Sequence, residues 1–371
     1  MKKTTVFARS SRSNNLTVGI VGLPNTGKST LFNYLTKNSV PAENYPFCTI
    51  DPSYGKVEID DKRVDVMTSL CKPKNTVKAY LGVTDIAGLV KGASDGVGLG
   101  NCFLDHIRNV DAIFHVVRCF EDPEILHVED TVDPLRDIKV VNDELRFKDK
   151  ETLSKQYEKI KKDLRGKAMD KKSKDRVALV ERLLTILETS WVNEHEFNEE
   201  EVAFIATLNL LTVKNVVYLA NVSQEDYEKK RVNKHLRALL NFTKNVIVFS
   251  ALYVSGCGDS RTPFLDKLVK KGYELLDLIN FFTVGKDEVR SWTIRRGCLA
   301  PEAGSVIHTD FMNYFIMAEV MSYDDLVACG SEAEVKKQGK YYQRGKTYEV
   351  NDGDIILFKH NPPTSKSKKK K

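Results

Sequence analysis

Eight residues constrain this chain more than any others. Gly22-Leu-Pro-Asn-Thr-Gly-Lys-Ser29 follows an apolar, strand-like run at residues 16–21 and precedes a helix-like stretch at residues 30–37. A glycine, four residues and then Gly-Lys-Ser between a strand and a helix makes a loop whose backbone N–H groups wrap phosphate oxygens. Lys28 carries the charge that reaches β and γ oxygens, Ser29 offers a hydroxyl to Mg²⁺, and the helix N-terminus adds a favourable dipole. Such a loop needs neighbouring parallel strands, covered by helices on both faces. The apolar runs at 79–85, 112–117, 216–220 and 246–249 supply them. An α/β fold around a mostly parallel sheet is therefore expected.

Two more elements stand in the order that a phosphate-sensing switch requires. Thr49, in Pro-Phe-Cys-Thr-Ile-Asp51, is a candidate to join Mg²⁺ when a γ-phosphate is present. Asp85-Ile-Ala-Gly88 closes the run at 79–84 as a D-x-x-G turn, with Asp85 holding Mg²⁺ through water and the Gly88 amide sensing the γ-phosphate. Guanine recognition would call for N-K-x-D after a later strand, because a carboxylate accepts both the N1–H and N2–H₂ bonds of guanine. This chain has Asn221-Val222-Ser223-Gln224 there, and a Gln amide offers one acceptor and one donor end. Adenine becomes the better fit, unless Gln224 faces solvent and another residue reads the base. Ras-type enzymes place a water-orienting glutamine directly after the D-x-x-G glycine, whereas here Leu89 follows. Slow hydrolysis is expected, helped by another group. His106, beyond the glycine-rich residues 92–100, is the candidate catalytic partner of Lys28, with a purely structural histidine as the alternative.

Composition narrows the remaining classes. The chain has 371 residues, 42% of them hydrophobic and 29% charged, which suits two or three domains and excludes a disordered chain. Its net charge of +6 falls to +1 once the five lysines of residues 366–371 are set aside, so a uniformly basic nucleic-acid-coating protein is not expected. No apolar run reaches eighteen residues, residues 1–15 are polar, and seven cysteines form no CxxC pair. These features suggest a cytoplasmic protein with reduced thiols and no membrane contact. Charged residues dominate after Val140, with apolar positions at Leu153, Tyr157, Ile160 and Leu164, then at Val180, Leu183, Leu184 and Leu187. That spacing predicts a helical hairpin with its tip at residues 165–175, inserted before strand texture resumes. The expected divisions are 1–138 and 209–278 for the nucleotide domain, 139–208 for the arm, 279–360 for a last domain and 361–371 for a disordered basic tail. Asp352-Gly353 between two strand-like runs predicts a hairpin. His308 is expected to be a hydrogen-bonded structural residue, and Phe281 and Phe282 to be core. Lys155–Lys174 and the terminal lysines are candidate contacts to RNA phosphates, or simply a solvated face and a solubilising tail.

Taken together, residues 22–30, Asn44-Tyr-Pro-Phe-Cys-Thr-Ile-Asp-Pro52, Asp85-Ile-Ala-Gly-Leu-Val-Lys-Gly-Ala93 and Gly98-Leu-Gly-Asn101 resemble the Obg-like ATPase family, whose bacterial members are called YchF. Residues 287–294, Ala300-Pro301, 306–311 and Tyr323-Asp-Asp325 are similar to the TGS domain that closes that family. The resemblance implies a GTPase-like fold that prefers ATP, an inserted helical arm, a C-terminal ubiquitin-like β-grasp domain, a cytoplasmic location and association with ribosomes or translation factors. It also implies phosphate contacts from Asn25, Thr26, Gly27, Lys28, Ser29 and Thr30, Mg²⁺ at Ser29 and Thr49, and base recognition by Asn221 and the Val222 backbone. Leu89 and His106 match the hydrophobic residue and the histidine of that family. Gln224 departs from the family's N-x-x-E, and the arm and the region after Ala251 are shorter than in many relatives. Three functions stay open: an ATPase switch, a nucleotide-gated binding protein or scaffold, and, more distantly, a small-molecule kinase.

Overall fold

Two β-sheets organise the computed structural model, which describes residues 16–37, 54–86, 104, 106–164, 170–258 and 260–361. The strands of the first sheet are β1 (Thr17–Val21), β2 (Tyr54–Glu58), β4 (Tyr80–Asp85), β5 (Ala112–Arg118), β6 (Asn215–Asn221) and β7 (Val246–Phe249), while the short β3 (Asn75–Val77) belongs to the second. Their order is β2-β4-β1-β5-β6-β7, with parallel pairing from β4 through to β7. Every residue of β5 is buried, as a strand covered on both faces demands, and its unbroken apolar run shows in the sequence for that reason. β1 sits between β4 and β5, with Val18 and Ile20 fully buried. The phosphate loop thus leaves the middle of the sheet, at the carboxyl ends of its strands.

An arm rises from this unit after β5. Its long helix, Pro134–Leu164, starts with proline in its first turn and with Asp133 Oδ1 accepting from the Leu135 and Arg136 amides. The next helix, Lys171–Ile186, is capped by Asp170, and a third, Glu199–Leu208, by a reciprocal Asn198–Glu201 box. Leu153, Val180, Leu183, Leu187, Val202 and Ile205 close a core of their own, with Tyr157, Ile160 and Leu184 against it. Each buried leucine or isoleucine there contributes about 1.5–3 kcal/mol. The third helix is an addition to the expected hairpin, and of its expected tip at residues 165–175 the last five already belong to the second helix, while 165–169 lie outside the described residues.

The second unit comprises Glu58–Leu81 and the chain from Asp277 onward. Its sheet runs β11 (Tyr342–Arg344), β10 (Phe315–Ser322), β12 (Asp354–His360), β8 (Leu278–Val284), β9 (Glu288–Arg295), β3. β8 and β9 form an antiparallel hairpin, β12 lies parallel to β8, and β10 is antiparallel to β12, which is the β-grasp arrangement. Phe281 and Phe282 are both fully buried and, as neighbours on a pleated strand, enter two different core clusters.

Two expectations are corrected here. Residues 58–81 belong with the second unit and not with the stretch 1–138: β3 pairs parallel with β9, and Val64 and Met67 of the helix Lys62–Cys71 pack with Phe282 and Val289. Arg63 fastens the segment further, bonding Asp61 and Asp352 and lying 5.0 Å over the Phe282 ring. The Asp352-Gly353 turn does not join a hairpin, because β12 pairs with β10 and β8 while Glu349 makes only an isolated bridge to Leu299. Asp352 instead accepts the Asn280 amide and the Arg63 guanidinium. His308 Nδ1 accepts the Asp310 amide as a helix cap at an exposed position. No described helix is long and apolar enough to cross a membrane.

Candidate functional site: the phosphate loop and its surroundings

Geometry at the end of β1 explains the two glycines. A Cβ on Gly22 would come within 2.4 Å of the Val116 carbonyl oxygen, and one on Gly27, at φ +98°, within 2.5 Å of Asn221 Nδ2. Asn25 adopts the left-handed region at φ +61°, which asparagine tolerates, and its amide donates to the Leu126 carbonyl at 3.1 Å. The Thr26 hydroxyl and Lys28 Nζ both donate to the Leu23 carbonyl, at 3.0 and 2.7 Å, and the Leu31 amide closes the first helical bond onto Gly27. The loop is thereby held by its own polar groups.

Lys28 is buried, and burial pulls its ammonium pKa down to about 8 against the favourable field of Asp85. Asp85, at the end of β4, is pushed up by burial and held back by the Ser29 hydroxyl bond and by Lys28. Its Oδ1 is buried and finds no hydrogen-bond partner among the described residues. An unsatisfied carboxylate oxygen beside an exposed serine hydroxyl is a donor set that suits a hard divalent cation. Lys28, Ser29 and Asp85 are therefore brought together as the sequence suggested.

Asn221 is buried at the end of β6 and uses both ends of its amide: Nδ2 donates to the Thr26 carbonyl and Oδ1 accepts from the Ala251 amide, each at 2.9 Å. It fastens the phosphate loop to the start of the helix Ala251–Gly256. The Val222 amide donates to the Phe249 carbonyl, so the backbone contact expected of Val222 falls to its carbonyl. Gln224 is exposed and its Nε2 donates to Glu228 at 2.8 Å. Thr30 is half-buried in the first helical turn. His106 is exposed in a helical turn at residues 106–109, and no hydrogen bond among the described residues joins it to Lys28, Ser29 or Asp85. Thr49, Gly88, Leu89 and residues 92–100 lie outside the described residues.

Sequence reasoning missed two supports of the site. Arg118, almost fully buried, donates to the Phe120, Asp122 and Ile125 carbonyls and stacks 4.6 Å over Phe120, shaping the turn that presents the Leu126 carbonyl to Asn25. An arginine ending a strand that is apolar apart from His115 was the available signal. His115, fully enclosed on β5, has its pKa pushed down to about 3 by burial, with the charge of Lys28 adding to the effect. It stays neutral behind the loop, with its ring 5.5 Å from that of Tyr218.

Comparison with known proteins matches this architecture in both units. Residues 17–154 match a family model described as 50S ribosome-binding GTPase, and residues 278–361 match the YchF-GTPase C-terminal model, described as a protein of unknown function (DUF933). Obg-like ATPase 1 of Oryza sativa subsp. japonica is 46% identical over 368 residues, spanning 94% of this chain and 93% of the relative. The Homo sapiens Obg-like ATPase 1 is 44% identical over 382 residues, spanning 96% and 95%. A solved structure of the Schizosaccharomyces pombe YchF GTPase superposes with a TM-score of 0.82 at 41% identity, covering 94% of this chain and 98% of that one. With a phosphate loop, an Asp85–Ser29 pair and a β-grasp unit matched along nearly the whole length, the chain belongs to the Obg-like ATPase family of YchF type.

Proposed function

We propose that this protein is a Mg²⁺-dependent ATPase of slow intrinsic turnover, working in the cytoplasm as a nucleotide-operated switch with ribosomes or translation factors as partners. The observation that carries the reading is the cluster at the phosphate loop, in which a buried Lys28 stands with a Ser29 hydroxyl and a half-buried Asp85 whose buried Oδ1 has no hydrogen-bond partner among the described residues. Phosphate oxygens of a bound nucleotide would replace the Leu23 carbonyl at Lys28 Nζ, and the amides of residues 25–30 would cradle them. Ser29, Thr49 and Asp85, directly or through water, would hold Mg²⁺, which neutralises charge developing between the β- and γ-oxygens.

Adenine preference rests on what stands after β6. Asn221 is committed to the loop, Gln224 to Glu228, and no carboxylate occupies the place of a guanine reader. The Val222 carbonyl suits an exocyclic amino donor, which adenine has at the edge where guanine carries an acceptor. Ribosome association draws support from the description of the model matching residues 17–154, and the lysine-rich stretch 155–174 is a candidate RNA contact.

His106 is the proposed catalytic group, because Leu89 cannot orient water. Single-turnover hydrolysis of Mg²⁺-ATP should be slowed at least about tenfold in His106→Ala with ATP affinity little changed, since a group acting in the transition state leaves ground-state binding alone. An unchanged rate would favour the second reading, a nucleotide-gated scaffold, which Leu89 also supports.

A further inference from the structure

The helical turn carrying His106 is built into the root of the arm. Leu104 and Ile107, both fully buried, share one core cluster with Val141 and Leu145 of the long arm helix, with Trp191 and with Leu211. His106 lies between them in sequence yet is exposed, so the turn shows its apolar side to the arm and its histidine to solvent. Polar bonds tie the same turn at its far end. Arg108 Nη2 donates to Thr152 Oγ1 of the arm helix at 2.7 Å, and Lys214 Nζ donates to the carbonyls of Arg108, at 3.2 Å, and Val110. Those carbonyls end the turn and would otherwise lack helical partners.

Lys214 is itself held from the arm. Asp149, buried on the long helix, accepts the Leu211 and Thr212 amides at 2.8 and 2.7 Å and the Thr212 hydroxyl at 2.7 Å, fixing the segment that leads into Lys214. The carboxylates of Asp111 and Asp149 favour the Lys214 charge, and burial opposes it. An apolar residue could fill that space without desolvating an ammonium, so packing alone gives no reason for a lysine there.

We propose that Lys214 and Arg108 are positioning residues that lock the His106 turn to the arm root, so that a partner displacing the arm changes the hydrolysis step and not nucleotide affinity. The proposal rests on the reading of His106 as catalytic. Lys214→Met, which keeps the apolar stem and removes the charge, should slow single-turnover hydrolysis of Mg²⁺-ATP about tenfold while the ATP Kd moves less than about twofold. Lys214→Arg should recover most of the rate. In a His106→Ala background, Lys214→Met should cause no further loss, because both act through one group.

A wild-type rate in folded Lys214→Met overturns the proposal, and so does an equal further loss in the His106→Ala background. If His106→Ala itself keeps the wild-type rate, the catalytic reading fails and the lock is judged by amide exchange. Exchange across residues 106–112 at least about tenfold faster in Lys214→Met then supports the lock, and unchanged exchange overturns it. Should Lys214→Met fail to fold, Thr152→Val, which removes the Arg108 acceptor at the arm, is read against the same outcomes.

Discussion

Lys28 and Lys214 are each 7% exposed, each has its ammonium pKa pulled down to about 8 by burial, and each donates to main-chain carbonyls. Their surroundings differ. Lys28 sits at the mouth of the phosphate loop beside an exposed Ser29 and an Asp85 oxygen without a partner among the described residues. Lys214 closes two carbonyls of one turn, with Asp111 and Asp149 partly offsetting the effect of burial on its charge. Burying an ammonium destabilises a fold by several kcal/mol unless other groups compensate. At the arm root that compensation is internal to the protein. Burial outweighs the compensation at both sites, since both pKa values fall. Only Lys28 stands beside an exposed hydroxyl and a carboxylate oxygen unpartnered among the described residues, and the proposed roles, binding for Lys28 and positioning for Lys214, rest on that difference.

The strongest way to break this contrast is to remove the first charge. Lys28→Ala should lower the single-turnover rate at least about a hundredfold, because phosphoryl transfer depends on charge stabilisation at the β- and γ-oxygens. Its thermal midpoint should stay close to wild type, since the charge serves a ligand and not a core. Retained turnover with an unchanged melting profile would assign the phosphates to some other site.

A pH titration of affinity sharpens the same contrast at a smaller effect. Burial lowers the nucleotide-free Lys28 to about 8, and bound phosphates favour its charged form, so ATP binding above that pH takes up a proton. Affinity should be level below about pH 8 and fall as pH rises beyond it, by up to about tenfold per unit. Calorimetry in two buffers of different ionisation enthalpy measures the proton uptake directly. Lys28→Arg, whose guanidinium stays charged, should flatten the profile, whereas Lys214→Met should leave it as in wild type.

Legibility in the sequence followed from where each residue's partners lie. Strands β1, β4, β5, β6 and β7 could be read because parallel strands covered on both faces need unbroken apolar runs. The phosphate loop could be read because the fixed spacing of its glycines, lysine and serine is set by the phosphates such a loop wraps, although the contacts that exclude a Cβ at Gly22 and Gly27, with Val116 and Asn221, are distant in sequence. The segment Glu58–Leu81 could not, since β3 is three polar or half-buried residues whose strand character comes only from pairing with β9, more than two hundred positions away. The same holds for Asn221. The resemblance implied base recognition for it, while the contacts its amide makes to Thr26 and Ala251, across 195 and 30 positions, had no sign in the sequence. Lys214 gave no local sign at all, as its partners come from the His106 turn and the arm.

That difference also limits simple redesign of base preference. Restoring N-K-x-D would require Val222→Lys, yet Val222 is buried in a core cluster with Val117, Ala220 and Leu236. A lysine there would lose that packing before any guanine contact formed.

The central claim, an adenine-selective phosphate site at Lys28, Ser29 and Asp85, is tested most directly by calorimetric titration of the wild-type protein with ATP and with GTP in excess Mg²⁺. Gln224 in place of a carboxylate at the fourth position of the N-K-x-D pattern predicts ATP binding tighter by at least about tenfold, the scale on which one unmatched polar edge is rejected. Equal or tighter binding of GTP would contradict it.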